Sequence, residues 1–230
     1  MENTRHGLSG NALKIIAMVA MLIDHIGFYL FPEVMVLRVI GRLAFPIFAY
    51  MIAEGWRYTH HRLRYFLTVL GVGLLCQVAI TVAEGDFYMN ILITFALAIA
   101  ACYLSEILLH GTALSLRILS AAALALIAFS VFVLPRIVSA LDFDYGTVGV
   151  LLPPLLYHIR GQRWKLLATA LALSAFAIGA HPVKWFALLA IPLLALYNGR
   201  RGRAKFKYLF YVFYPAHLGI LWLISEFCLP

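Results

Sequence analysis

Charge is what this sequence has least of. Of its 230 residues only 12% are Asp, Glu, Lys or Arg, while 64% are hydrophobic; an ordinary soluble domain is roughly half apolar and about a quarter charged. No soluble core could hide that much apolar surface. Cysteine is scarce as well. Cys76, Cys102 and Cys228 stand far apart, with no C-x-x-C pair and no histidine at ligand spacing, so they read as small hydrophobes and no metal is expected. Internal repeats, low-complexity tracts and linkers are missing too, which leaves a single domain, 1–230. Acidic residues number 10 against 18 Lys and Arg, a formal charge of +8. The excess basic residues mark the ends of apolar runs and form no aromatic-interleaved patch, so the partner they imply is a lipid bilayer and not nucleic acid.

What the chain does have is apolar runs. A span needs ~20 mostly apolar residues, so a chain of this length holds at most about eleven. Runs at 11–30, 34–55, 65–83, 89–109, 114–134, 145–159, 164–180, 183–197 and 206–226 predict an all-α integral membrane protein, a bundle of about nine transmembrane helices. The sixth and eighth runs are short, and Pro153-Pro154 in the sixth suits a broken or re-entrant segment. The first run follows Arg5 and opens with Lys14, as a signal peptide would. Its Asp24-His25 pair and its lack of a small-residue cleavage site argue for a retained span. Alternate connections carry the basic residues: Arg57, Arg62 and Arg64; Arg117; Arg160, Arg163 and Lys165; Arg200, Arg201, Arg203, Lys205 and Lys207. The connections between them hold only Arg136 and Lys184, beside Glu84, Asp86, Asp142 and Asp144. This asymmetry predicts an N-terminus inside and a C-terminus outside.

Ionisable groups within spans cost about 2.5–3.5 kcal/mol each on insertion scales, so they mark function by default. The first span holds Lys14, Asp24 and His25; the second holds Arg38, Arg42 and Glu54. Lys14 and His25 lie about three helical turns, or roughly 16 Å, apart on one face. Lys14 falls at the inner edge, where a lysine also serves as a snorkelling anchor, and His25 falls in the outer half. The second span runs the other way and brings Arg42 to the depth of His25. Arg38 and Arg42 are four apart and share a face. A guanidinium cannot be neutralised there, and Asp24 is its nearest candidate partner. As neighbours on a helix, Asp24 and His25 point about 100° apart, which disfavours their direct pairing. In the last span Pro215 kinks the helix, Tyr208 fits an interfacial belt, Tyr214 lies too deep for one, and His217 sits at the depth of Arg42. Asn90, Thr94 and Asp144, near outer ends of spans, suit helix capping as well as function.

Three blocks carry a family resemblance. The opening Leu13-Lys14-Ile15-Ile16-Ala17-Met18-Val19-Ala20-Met21-Leu22-Ile23-Asp24-His25-Ile26-Gly27, the run from Arg38 through Arg42 to Tyr50, and the closing Lys207 to Leu218 resemble the TraX family. The spacing between the blocks and the Tyr145-Gly146 before the sixth span fit as well. TraX proteins are associated with N-terminal acetylation of conjugative pilin and are similar to the acyltransferase type three group. That group's mark, a basic residue and then a histidine after ten intervening residues, is matched by Lys14 and His25. The resemblance implies a multi-pass acyltransferase of the bacterial inner membrane that uses cytoplasmic acetyl-CoA. Lys14, Arg57, Arg62 and Arg200 would contact the donor. His25 would act as base or nucleophile, with Asp24 and Arg42 in the catalytic set and Arg42 stabilising the oxyanion. Arg38, Asn90, Tyr214 and His217 would be substrate-binding, and the acceptor would be an amine such as a pilin-like N-terminus, or a hydroxyl. Two other readings stand beside this one: an ion-coupled transporter that uses Asp24, His25, Arg42 and His217 as a relay, and a non-catalytic assembly factor.

Overall fold

The first helix begins where the sequence offers a cap. Ser9 has extended backbone (φ −76°, ψ 161°), and its Oγ accepts the N–H of Ala12 at 3.2 Å, the usual way of satisfying an orphan first-turn donor. From there the apolar run sustains α1, Gly10–Tyr29. These coordinates belong to a computed structural model that describes residues 7–85, 88–138, 141–202 and 207–228, without the side chains of 84, 207, 208 and 228. Arg5, Asp86, Arg203, Lys205 and Pro230, and the side chains of Glu84, Lys207, Tyr208 and Cys228, therefore lie outside the described residues.

The other helices follow in order: α2 Met35–Gly41, α3 Ala44–Tyr58, α4 Arg62–Glu84, α5 Ile91–His110, α6 Leu114–Phe132, α7 Leu134–Ile137, α8 Gly146–His158 and α9 Gln162–Ala177. A 3-10 turn, Pro182–Leu189, then leads into α10, Ala190–Ala195, and α11, Lys207–Cys228, closes the chain. Among the described residues six stretches are long and apolar enough to cross a membrane: Gly10–Tyr29, Met35–Tyr58, Arg62–Ala83, Ile91–His110, Leu114–Ile137 and Leu209–Phe227. The sixth, seventh and eighth runs of the sequence are shorter helices, α8, α9 and the 3-10/α10 segment. The second run is continuous by hydropathy but breaks at Arg42-Leu43, where the backbone tightens to three-residue bonds such as Leu43 N–H to the Ile40 carbonyl at 3.2 Å. Pro46 explains the break, because it has no N–H to return to the Arg42 carbonyl.

The described chain divides into two compact units, Met1–Met51 with Gly161–Pro230, and Ile52–Arg160. In the first, α1 packs on α2 and α11, and α9 packs on the 3-10 turn and α10. In the second, α5 is central, with α4, α6 and α8 against it. Its buried row includes Ile93, Phe95, Ala98, Ile99 and Cys102. Thr94 meets α8 where a Cβ on Gly149 would lie 2.5 Å from the Thr94 methyl, so only glycine permits that approach. The outward surface is apolar, with Val82 82% and Leu114 69% exposed, as expected of helices whose solvent is lipid.

Candidate functional site

The site is built where α1 and α2 come closest. A Cβ on Gly41 would lie 2.1 Å from Asp24 Oδ1 and 2.2 Å from Asp24 Cβ, and one on Gly27 would lie 2.7 Å from Leu37 Cβ. Missing side chains at these two positions let the helices pack at this distance. Asp24 is thereby presented to both arginines of α2. Arg42 Nη2 donates to its two carboxylate oxygens at 2.8 and 2.9 Å. Arg38 Nη1 reaches Oδ2 at 2.9 Å and the Asp24 carbonyl at 3.0 Å, while its guanidinium lies 5.3 Å from the Phe28 ring centroid. Arg42 Nε also donates to the Arg38 carbonyl at 3.3 Å. Such pairing is what a guanidinium in apolar surroundings requires. Two guanidinium charges against one carboxylate leave the cluster positive.

One residue on, His25 turns to a different helix. Its Nδ1 lies 2.7 Å from His217 Nε2 on α11, and its ring centroid is 4.9 Å from that of His217 with the planes 21° apart. That centroid separation is close to the nitrogen–nitrogen contact plus the two ring radii. The imidazoles therefore lie edge to edge, nearly coplanar, with the hydrogen bond in the ring plane. His217 is in turn fixed on its own helix. Its Nδ1 lies 2.6 Å from the Phe213 carbonyl, the Phe213 ring stacks on it at 4.6 Å and 19°, and Tyr214 meets it edge-on at 5.7 Å. His217 and Tyr214 are both buried. Asp24 and His25 are consecutive residues of α1, so ion cluster and histidine pair adjoin at one level of that helix.

At the other end of α1, Lys14 Nζ lies 5.5 Å from the Phe210 ring centroid of α11. The chain before α11 clasps the start of α1: Leu8 N–H bonds the Leu196 carbonyl at 2.8 Å, Gly10 N–H that of Arg200 at 2.8 Å and Asn11 N–H that of Arg201 at 2.9 Å. Exposed Arg200 and Arg201 are thus delivered to the Lys14 end of the helix, making it basic.

Five of the residues singled out by sequence, Arg57, Arg62, Asn90, Thr94 and Asp144, lie in the second unit, with local partners. Arg57 Nη2 donates to the Tyr157 carbonyl at 2.5 Å. Arg62 pairs with Glu106 at 2.7 Å and lies 4.6 Å over the Trp56 ring. Asn90 caps α5, its Oδ1 accepting from Leu92 N–H at 3.0 Å, while its Nδ2 ties that cap to the Gly73 carbonyl and Gln77 Oε1 of α4. Asp144 and Thr94 belong to the same end: the Thr94 hydroxyl donates to the Asp144 carbonyl, and the Tyr88 hydroxyl to the Asp144 carboxylate.

Sequence reasoning passed over Lys165, reading it only as a loop charge. It is 6% exposed, one turn into α9, with Nζ 5.4 Å from the Tyr50 ring centroid. The signal was the four-residue spacing of Lys165, Thr169, Leu173 and Ala177, which are the buried residues of that helix. Among the described residues there is no group of three His, Cys, Asp or Glu side chains able to hold a metal.

Comparison with known proteins bears on this constellation. The family model described as TraX protein matches residues 9–225. A probable fimbrial assembly protein FimC, serogroup H1, of Dichelobacter nodosus is 28% identical over 241 residues, covering 91% of this chain and 92% of that protein. An uncharacterized protein of Rickettsia prowazekii (strain Madrid E) is 37% identical over 93 residues, covering 40% of this chain; the match spans about a third of that relative, 35% of its length. No solved structure matches the chain.

Proposed function

The chain belongs to the TraX family, and from that premise we propose that it is a membrane-embedded acyltransferase, with His25 as its base or nucleophile. One observation supports this above the others: a histidine within an apolar helix is joined to a second histidine and set beside a positively charged Asp24–Arg38–Arg42 cluster, although these residues come from three separate helices. The donor is acetyl-CoA, and its phosphates meet the basic end of α1, at Lys14 and Arg200. In direct transfer the acceptor amine attacks the thioester carbonyl while His25 takes the amine proton. The carbonyl oxygen gains negative charge facing the positive potential of Arg38 and Arg42. As the carbon–sulfur bond breaks, the proton passes from His25 to the departing thiolate. Tyr214 lines the acceptor side. Arg57 and Arg62, already engaged within their own unit, play a smaller part in donor binding.

The acceptor we propose is an amine of an envelope protein, pilin-like in kind. The name of the Dichelobacter relative, a probable fimbrial assembly protein, supports that class. The full polytopic arrangement belongs to the same proposal: 1–230 as one working domain in the bacterial inner membrane, about nine crossings with α8, α9 and the 3-10/α10 segment among them, N-terminus inside and C-terminus outside. A proton or anion relay through Asp24, His25, Arg42 and His217 is the second reading, favoured by the 2.7 Å contact between the histidines.

The test is acyl transfer from labelled acetyl-CoA to a small amine by membranes holding matched amounts of wild-type and His25→Ala protein. Loss of the base should slow transfer about 10²–10⁴-fold. Retention of more than half the activity removes the catalytic role and leaves the relay.

A further inference from the structure

The partners of His217 dictate where the protons of the histidine pair must sit. A carbonyl oxygen only accepts, so the 2.6 Å contact with the Phe213 carbonyl requires a hydrogen on His217 Nδ1. A neutral imidazole carries one ring hydrogen, so His217 Nε2 is then an acceptor. The group 2.7 Å from it, His25 Nδ1, must therefore donate, and His25 Nε2 is left with the lone pair. The near-coplanar rings place this hydrogen bond in the plane where the Nε2 lone pair points. The Phe213 ring, stacked at 4.6 Å on His217, holds that plane. The neighbouring Asp24 carboxylate is occupied by Arg42 and Arg38. Orientation of His25 by a carboxylate, a common arrangement, thus has no support here, and a second imidazole takes its place.

We propose that His217 is a positioning residue that locks His25 in its Nδ1–H form, so that Nε2 of His25 is the nitrogen that takes the acceptor's proton. The inference rests on the reading of His25 as the acting group, but its geometry can be tested without any acyl transfer. His217 thereby moves from substrate binding to the support of His25.

The primary experiment is NMR of protein labelled with ¹⁵N at histidine, in lipid nanodiscs, with His25→Gln and His217→Gln spectra assigning the two rings. In wild type, both rings should show a protonated Nδ1 and an unprotonated Nε2. A proton on His25 Nε2, or a doubly protonated His217, overturns the proposal. His217→Phe keeps a flat ring against Phe213 but removes the acceptor, so His25 should move toward the Nε2–H form and kcat should fall about 10–100-fold, as for loss of an orienting partner. KM for acetyl-CoA should not change. His217→Gln restores an acceptor oxygen and should recover part of kcat. An unchanged kcat in folded His217→Phe protein also overturns the proposal. The two levels separate cleanly. The expected proton positions with full activity in His25→Ala refute His25 as the acting group, and the role of its Nε2 with it, while the tautomer lock by His217 stands; an inactive His25→Ala with the wrong proton positions refutes the positioning role alone.

Discussion

Replacing Gly41 with alanine adds one methyl group and no charge, yet it should disable the ion cluster. The new carbon would lie 2.1 Å from Asp24 Oδ1, 2.2 Å from its Cβ and 2.4 Å from its Cγ, where carbon contacts ordinarily sit at about 3.5–4.0 Å. Rotating the Asp24 side chain cannot relieve the clash, because Cβ is fixed to the α1 backbone. The helices must part by roughly 1 Å or more, and the Arg42 bonds of 2.8 and 2.9 Å lengthen with them. Overpacking costs about 1–3 kcal/mol, and the lengthened bonds of the half-buried Asp24–Arg42 pair place the loss at the upper end of that range. A loss of about 3 kcal/mol is expected, or roughly 6–12 °C in Tm for a chain of this length. Thermal unfolding in detergent measures it, with Gly71→Ala as control. A Cβ at Gly71 meets nothing within 4 Å, so that variant should melt at or slightly above wild type, since alanine is the better helix former by up to about 1 kcal/mol. A Gly41→Ala protein melting within about 2 °C of the control, a shift worth less than about 1 kcal/mol, would refute the claim that glycine is required for the Asp24 contacts.

Reporter fusions should place residues after Arg64 and Arg203 in the cytoplasm and those after Asp86 and Pro230 outside; a cytoplasmic signal at Pro230 alone removes one crossing from the proposed count. Tyr88, in the loop before α5, should make the second unit alkali-sensitive. Partial burial, then the Asp144 carboxylate that its hydroxyl faces at 3.2 Å, raise its ionisation above the ordinary tyrosine range. Since the unfolded phenol ionises near pH 10 while the folded one stays protonated, its contribution is fully present below about pH 10 and is lost above it. Tyr88→Phe should flatten the fall in stability between about pH 10 and 11.5, and equal slopes in the two proteins would contradict this assignment.

The Asp24–Arg42 pairing was legible in the sequence because helical pitch and opposite chain direction fix depth, and depth alone brings these two residues together. Arg38 joined them through four-residue spacing. The histidine pair was only half visible: pitch put His217 at the right level, but nothing in one sequence states that α11 packs on α1. The break at Arg42 was hidden because hydropathy averages over Pro46, whose missing N–H ends α2. Asn90 carries the sequence mark of a helix cap, and the structure gives it that work, with a tie to α4 besides. Lys165 was misjudged because charge was weighed ahead of its spacing to Thr169 and Leu173.

The constellation also has an order of birth. Asp24 meets its arginine after only 18 further residues have been made, so α1 and α2 can form this ion pair as soon as both leave the ribosome. His25 waits for a residue 192 positions downstream, which at about 5–20 residues per second is a delay of roughly 10–40 s. During that interval the nascent protein holds its charges already paired but its histidine still alone. A chain stalled before α11 would thus hold the Asp24–Arg42 pair without the contact between His25 and His217.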